Sequence, residues 1–470
     1  MRKTKIICTI GPASDSEETL REMMLAGMDV ARCNFSHGTH DDHLARFERI
    51  KKVREELDRP VAIMLDTKGP EYRIKTFKND KIMLKDGDTF TFTTDDIIGD
   101  ETRVAVTYKN LVNDLEVGDT VLVNNGLVIF KVKELKGNDA ICDVVVGGEL
   151  SNRKSMNFPN RLLKQKFLSD QDKDDLLFGI ENGVDFVAAS FVSTKQDMVD
   201  MRTFLDEHGG QDIDIIAKIE NRSGIDHIDE ICEIADGIMV ARGDLGVEVP
   251  FIEVPSIQKY LIKKCRLLGK LVVTATEMLE SMIHSPRPTR AEISDVANAV
   301  YDGSSAIMLS GETANGKYPV LAVKNMAEIA SFTENKIDYI QLFRNTNFQI
   351  RSDIDAVSHS TCDMAIDVNA KAIVVSSISG KTVRWVSRFR CPVDILAVTT
   401  SEKVWRKINL SWGVTPTMAG HFEHTTPMFN HALKEATRIF NLNQGDRVIL
   451  TGGPAGSKAG TNLIKLEVVK

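Results

Sequence analysis

Eight short runs of β-branched and other apolar residues, at 4–10, 28–35, 61–66, 184–190, 213–219, 237–242, 270–276 and 305–310, are each followed by a longer helix-like segment. No other feature narrows the possible folds as much. Several runs are apolar through their middle, as strands buried on both faces must be, and most end in a polar or charged residue. Eight such units predict an α/β chain built on a (β/α)8 TIM barrel, where residues at the carboxyl ends of the strands converge on one site. A doubly wound sheet is the structural alternative, but it would gather ligands at a single switch point.

Between the third and fourth runs the texture changes. Residues 71–168 alternate in period two at 81–84, 89–94, 103–108, 120–123, 127–132 and 140–146, punctuated by Lys85-Asp86-Gly87, Asn124-Asn125-Gly126 and Lys136-Gly137-Asn138. These hairpin and turn signals predict a small inserted antiparallel β domain, a β-barrel lid over the active-site side of the barrel. A third texture begins after about residue 345, where runs at 372–376, 394–398 and 447–450 alternate with helical stretches. The expected domains are therefore 1–70 with 169–345 for the catalytic barrel, 71–168 for the lid and 346–470 for a C-terminal α/β domain. At 470 residues the chain has ample length for three cores.

The balance of 59 Lys+Arg against 67 Asp+Glu leaves a net charge of −8, which argues against nucleic-acid or membrane-surface partners. An anionic small substrate would have to be caught by a few placed cations or metals. The seven cysteines are scattered, with no zinc-site spacing, and read as reduced thiols of a cytoplasmic protein. The opening MRKTKIICTIGP has too short an apolar run for a signal peptide, and no stretch approaches a membrane span.

The strand ends carry the chemistry. Lys218-Ile219-Glu220 closes the fifth run and Ala241-Arg242-Gly243-Asp244 the sixth. One carboxylate from each of two adjacent strands makes a hard-oxygen site suited to Mg²⁺ or Mn²⁺ with substrate oxygens completing the shell. Lys218, two residues before Glu220, faces the same mouth, where it would neutralise charge growing during phosphoryl transfer or enolate formation. A buried ion-pair network is the plainer alternative. Arg32, Asn34, Ser36 and His37 follow the second run; Asp66, Thr67, Lys68, Glu71 and Arg73 follow the third. The arginines suit a phosphate or carboxylate. Asn34, Ser36, Asp66 and the Thr67 carbonyl offer oxygens only, which fits a monovalent cation or a hydrogen-bond network. Thr274 and Thr276 end the seventh run, and Ser310, Glu312 and Thr313 the eighth. Thr289-Arg290-Ala291-Glu292 reads as a structural capping box.

In the last domain Ser377, Ser379, Gly380, Lys381 and Thr382 lie between a strand and a helix start, a pattern suited to cradling an effector phosphate. Val375 stands where a P-loop needs glycine, which argues against a P-loop NTPase. The stretch TGGPAGSKAG at 451–460 is placed to close over the same ligand.

Taken in order, TKIICTIGP, ARCNFSHG, LDTKGPEYR, VDFVAASF, AKIENRSG, ADGIMVARGDLGVEVP, PRPTRAE, DVANAVYDG and MLSGETANGKYP resemble the pyruvate kinase family over essentially the whole chain. That resemblance implies a glycolytic phosphotransferase moving the phosphoryl group of phosphoenolpyruvate to ADP, giving pyruvate and ATP. It also implies dependence on Mg²⁺ (or Mn²⁺) and K⁺, allosteric regulation by a phosphorylated metabolite, and a cytoplasmic homotetramer. By motif, Lys218 resembles the lysine that stabilises the transferring group, and Glu220 and Asp244 the Mg²⁺ ligands. Asn34, Ser36, Asp66 and Thr67 match the K⁺ site, and Arg32 and Arg73 the phosphate-facing arginines. Thr276 matches the threonine beside the enolate and Ser310 a hydroxyl of the proton path. Substrate is implied at Arg32, Lys218, Gly243, Asp244 and Thr276, and nucleotide at Asn34, His37, Arg73 and Lys154. Glu71 implies a K⁺ requirement, because members with lysine there dispense with the ion.

Four stretches depart from the pattern. The lid has Val123-Asn124-Asn125-Gly126 where two aspartates are common, and the hinge reads Asn157-Phe158-Pro159-Asn160 where glycine is usual. The next segment, RLLKQKF, lacks a second proline, and Glu277 replaces glutamine. Two rivals are a metal-dependent aldolase or lyase of enolates and a catalytically dead metabolite sensor. Lys218 and the oxygen set at 34, 36, 66 and 67 argue against the first, and the intact charged set against the second.

Overall fold

The computed structural model of the protein describes residues 1–470 other than 162, 165 and 456–459. All eight runs are strands: Lys5–Thr9, Val30–Asn34, Ala62–Asp66, Phe186–Ala189, Asp214–Ile219, Gly237–Ala241, Leu271–Ala275 and Ala306–Leu309. Each pairs in parallel with its neighbours in this order, and the first closes on the eighth with Lys5 opposite Ala306. The closed barrel, not the doubly wound sheet, is the architecture. Alternation within each strand sends Ile7, Met64, Phe186 and Met239 inward, while Ile6, Cys8, Ile63 and Ile238 meet the surrounding helices. Several of those helices begin where the chain supplies its own cap. Thr39, Ser169, Thr194 and Thr289 each accept an N–H from an acidic residue three positions on, whose carboxylate returns the bond.

The insertion forms a seven-stranded sheet and a two-stranded ribbon around one core that includes Phe90, Phe92 and Phe130. Asn124-Asn125-Gly126 turns the strand Thr120–Val123 into Val128–Lys136, and Gly137 turns the latter into Asp139–Val146. Lys85-Asp86-Gly87 turns the chain without making a hairpin. Lys81–Leu84 pairs with Gly148–Ser151, whereas Thr89–Thr93 pairs with Asp139–Val146. One pairing departs from the antiparallel expectation, because Thr89–Thr93 runs parallel to Arg103–Ala105.

The C-terminal sheet holds five strands, four parallel (Val414–Met418, Asp394–Thr399, Ala372–Ser376, Arg447–Gly452) and an antiparallel edge, Leu463–Val468. The first and last of these escaped the sequence reading, since Pro416 and the mixed Lys465/Glu467 pattern hide a strand. This domain caps the amino-terminal mouth of the barrel. Leu410 is fully buried among the inward-facing barrel residues. Around it, Arg406 Nε meets Asp185 at 2.8 Å, Lys407 Nζ meets Asp214 at 2.9 Å, and Arg384 pairs with Asp214 and, at 3.3 Å, Asp236. Those aspartates sit at or just before the starts of the fourth, fifth and sixth strands. Because desolvation offsets much of what such pairs gain, the ion pairs orient the domain while apolar burial supplies the stability.

Leu410→Ala is expected to cost about 2–5 kcal/mol of stability, read as a lower denaturant midpoint, whereas Leu410→Met should cost less than about 1.5 kcal/mol. An unchanged midpoint for the alanine variant would show that the mouth of the barrel is not sealed by this side chain.

Candidate active site

Parallel strands deliver their carboxyl ends to one rim, and there the predicted residues of strands two, three and five meet. Asp66 is buried and shared: Arg32 Nε reaches its Oδ2 at 2.5 Å and Lys218 Nζ its Oδ1 at 3.1 Å. Burial alone would push the Asp66 carboxyl up, but the two cations outweigh it and hold the group below its usual range. For Lys218 the opposing effects run the other way. Burial pulls the ammonium down, and Asp66 and Glu220 more than offset this, so it stays charged.

Glu220 is fully buried one residue beyond the fifth strand. Its Oε2 accepts the Phe191 N–H at 2.6 Å. Its Oε1 lies 2.9 Å from Lys218 Nζ but accepts no aligned hydrogen bond. Burial pushes the carboxyl up to about 7, with Lys218 opposing and the charge of Asp244 adding to the rise. Asp244 opens the short helix Arg242–Glu248 and is exposed to the cleft. A buried carboxylate oxygen short of a donor, beside a second carboxylate, suits a divalent cation whose charge would offset the burial of both. Among the described residues no group of three or more His, Cys, Asp or Glu is placed to hold a metal. A two-carboxylate site of this kind fits Mg²⁺ or Mn²⁺, which take remaining oxygens from substrate and water.

Thr276 sits in left-handed backbone at φ +67°, as does Glu277 at +54°. That conformation is costly for a β-branched residue and holds only because the surroundings over-determine it. Arg242 Nη2 donates to the Thr276 carbonyl at 2.6 Å, and Thr276 Oγ1 accepts the Gly243 N–H at 2.8 Å. The strain aims the Thr276 hydroxyl at the sixth strand end. Ser310 Oγ is buried without a hydrogen-bond partner, while its N–H donates to Glu312 at 2.7 Å. Glu312 also accepts the Leu279 N–H at 3.0 Å, tying the seventh and eighth rim loops together. Thr274, also a candidate by sequence, instead bonds Ser304 inside the wall at 2.8 Å.

A cleft of about 660 Å³ opens between rim and insertion, lined among others by Glu71, Arg73, Asn125, Lys154 and Asp244. Glu71 pairs with Arg73, whose Nη1 also donates to the Arg153 carbonyl at 2.5 Å. Asn34 is half-buried opposite Asp66, and its Oδ1 accepts the Ser36 N–H at 3.1 Å. His37 stays on the exposed loop, outside the lining of this cleft, and among the described residues its ring makes no hydrogen bond. Ser190 and Phe191, which sequence reasoning passed over, close the fourth strand end against Asp66, Lys218 and Glu220. The only signal that could have found them is position, since Ser190 closes the fourth run, and the first and fourth are the two runs whose ends gave no candidate.

The family model described as "Pyruvate kinase, barrel domain" matches residues 1–323, and "Pyruvate kinase, alpha/beta domain" matches 355–467. This chain belongs to the pyruvate kinase family. A pyruvate kinase of Clostridium perfringens is 46% identical over the full length of both chains. One of Geobacillus stearothermophilus is 45% identical, covering all of this chain and 80% of its own. The solved structure of a pyruvate kinase from Cryptosporidium parvum superposes with a TM-score of 0.96 at 38% identity, covering 100% of this chain and 96% of that one.

The departures from the pyruvate kinase pattern have a backbone explanation. Asn124, Asn125 and Asn160 adopt φ of +57°, +55° and +62°, where asparagine and aspartate are tolerated and glycine is free. Asparagine therefore keeps each turn while removing charge from the lid. Of RLLKQKF, residues 162 and 165 lie outside the described residues. The last strand of the insertion, Ser155–Asn157, is tied to the helix carrying Asp244, because Asn157 Nδ2 donates to Glu248 Oε1 at 2.9 Å. Burial pushes the Glu248 carboxyl up, only partly opposed by hydrogen bonds from Asn157 and the Phe158 N–H.

A carboxyl that binds its proton more tightly when folded stabilises the fold at low pH and loses that contribution as pH rises through the raised value. Glu248→Gln should remove this component. The difference between wild-type and variant thermal midpoints, measured without ligands, should shift against wild type as pH climbs from about 4.5 toward neutrality. Parallel curves would show that Glu248 ionises normally.

Proposed function

We propose that this chain transfers the phosphoryl group of phosphoenolpyruvate to ADP, releasing pyruvate and ATP in glycolysis. The observation that carries this reading is Lys218, buried at 8% exposure yet held charged between Asp66 and Glu220 at the barrel rim. A rigid ammonium there meets a dianionic phosphoryl group without reorganising, which is where phosphoryl transfer gains most of its rate. Arg32, anchored on Asp66 and on Thr9 Oγ1 at 2.8 Å, presents a second cation. Arg73 supplies a third from the lid side of the cleft once released from Glu71.

Glu220 and Asp244 would hold Mg²⁺ or Mn²⁺, and Asn34, Ser36, Asp66 and the Thr67 carbonyl would hold K⁺. Bound there, these ions supply fixed positive charge to phosphoryl and enolate oxygens. The chain's own part is positional. In transfer to the ADP β-phosphate, the P–O bond to the enol oxygen breaks as a new P–O bond to the nucleotide forms. The enolate left behind takes a proton at its methylene carbon, on the face where Thr276 and the unpartnered Ser310 hydroxyl stand. The Gly243 N–H, donated to Thr276 Oγ1 at 2.8 Å, orders the turn that would receive the substrate's carboxylate. Lys154 and Arg73 line the cleft that would take the nucleotide, whereas Asn34 lies outside that lining and His37 would have to swing in from its loop.

The C-terminal pocket, about 360 Å³, supports the effector reading. Ser377 Oγ accepts the Gly380 N–H at 3.0 Å and Ser379 Oγ the Lys381 N–H at 3.4 Å, while the Thr382 and Thr461 hydroxyls touch. Ser376 Oγ, lining the same pocket, is buried without a hydrogen-bond partner among the described residues. Gly380 stands at φ +76°, where a Cβ would come within 2.5 Å of Ile408. Residues 456–459 of the glycine-rich stretch lie outside the described residues, while Gly453, Pro454 and Gly460 line the pocket. This supports a phosphorylated metabolite as regulator. The homotetramer implied by the family pattern is carried here as part of the same proposal.

Pyruvate formation from phosphoenolpyruvate and ADP with Mg²⁺ is expected to be much faster in K⁺ than in Na⁺. Lys218→Met should lower kcat at least about 10²–10³-fold with little change in the KM for phosphoenolpyruvate. Wild-type rates from the lysine variant would overturn the reading, and equal rates in the two salts would remove the K⁺ assignment alone.

A further inference from the structure

Ser190 ends the fourth barrel strand at 1% exposure, and its hydroxyl stands where three separate parts of the site meet. Lys218 Nζ lies 2.8 Å away, the Thr67 carbonyl oxygen 2.6 Å, and Asp66 Oδ1 3.3 Å. An ammonium can only donate, so Lys218 takes one of the oxygen's lone pairs. The single hydroxyl proton must then go to an acceptor, and the Thr67 carbonyl is the nearer of the two. The backbone allows little else. Ser190 N–H donates to Thr67 Oγ1 at 3.1 Å, Thr67 N–H donates to the Ala188 carbonyl at 3.0 Å, and Gly69 packs so closely that a Cβ there would come within 2.8 Å of Ser190 Cβ.

We propose that Ser190 is a positioning residue that links the oxygens of the monovalent-cation site to Lys218. The inference rests on the kinase reading and on the oxygen set named there. The Thr67 carbonyl has two lone pairs; Ser190 engages one and leaves the other for a cation. A cation drawing on that carbonyl, and on Asp66 beside it, therefore acts on the same short chain of hydrogen bonds that aims the lysine. Without the hydroxyl, Lys218 keeps only Asp66 at 3.1 Å and Glu220 at 2.9 Å and relaxes toward them, while the Thr67 carbonyl loses its donor. No charge and no metal-facing oxygen is removed, which separates this role from that of a ligand.

The test compares wild type with Ser190→Ala and Ser190→Cys. The thiol fills the space of the hydroxyl, being somewhat larger, but is a weak donor and acceptor. Two quantities are read: steady-state turnover of phosphoenolpyruvate with ADP and Mg²⁺, and the thermal midpoint without substrate as KCl replaces tetramethylammonium chloride at constant ionic strength. Both variants are expected to lose about 10–100-fold in kcat with the KM for phosphoenolpyruvate within about twofold, as for a misplaced charged group. The K⁺ concentration giving half the thermal shift should rise several-fold in both. Wild-type kcat and K⁺ response in both variants would overturn the proposal, and so would full restoration by cysteine, which would make the role one of packing. If wild type itself shows neither turnover nor a K⁺-specific shift, the kinase reading fails and Ser190 with it; an active, K⁺-responsive wild type with unaffected variants sinks Ser190 alone.

Discussion

One buried carboxylate, Asp66, holds the rim together. It stands between a guanidinium from the second strand and an ammonium from the fifth; without it Arg32 would be buried with no acidic partner among the described residues, and Lys218 would keep only Glu220. Because both are paired with it, the site keeps two positive charges at low exposure, ready for an anion. The closed barrel makes this possible, since only closure brings the second, third and fifth strand ends across a common mouth.

The two mouths of the barrel are built on different terms. At the amino end, aspartates before successive strands meet cations of the C-terminal domain, and Leu410 fills the centre. At the carboxyl end the backbone is strained: Phe191, Thr276 and Glu277 all take positive φ. Strain of this kind persists where the rest of the fold outweighs it, and here it coincides with polar atoms left without partners, Glu220 Oε1 and Ser310 Oγ. Stability is concentrated at one end and reactivity at the other, as the fold's geometry favours.

The insertion stands at the carboxyl rim and the C-terminal domain at the opposite mouth. Glu248 connects Asn157 of the insertion to the short helix that bears Asp244, so lid position and the exposed carboxylate share one element. The helix Lys381–Arg388 begins at the C-terminal pocket and carries Arg384, which reaches Asp214 at the start of the strand that ends in Lys218. Both peripheral pockets thus border elements that are continuous with the site.

The eight strands, the capping box at Thr289 and most of the charged set were legible in the sequence, because burial on two faces and helix starts leave local signatures in residue type. Charged residues at strand ends are also legible, since a barrel turns adjacency in strand order into adjacency in space. Edge strands such as Leu463–Val468 were not, as one exposed face dilutes the pattern. Nor could residue type alone separate Thr276 from Thr274, or Ser310 from Glu312. One threonine is held beside the Gly243 N–H by a left-handed backbone and the other is tied to Ser304 in the barrel wall, and Glu312 spends both oxygens on backbone N–H groups. Local sequence determined which elements form and which chemistry they carry. Tertiary structure alone decided which polar atoms are left unpaired, because hydrogen-bond partnership at the rim is set between strands more than a hundred residues apart, as Lys218 with Asp66 and Ser190 with Thr67 are.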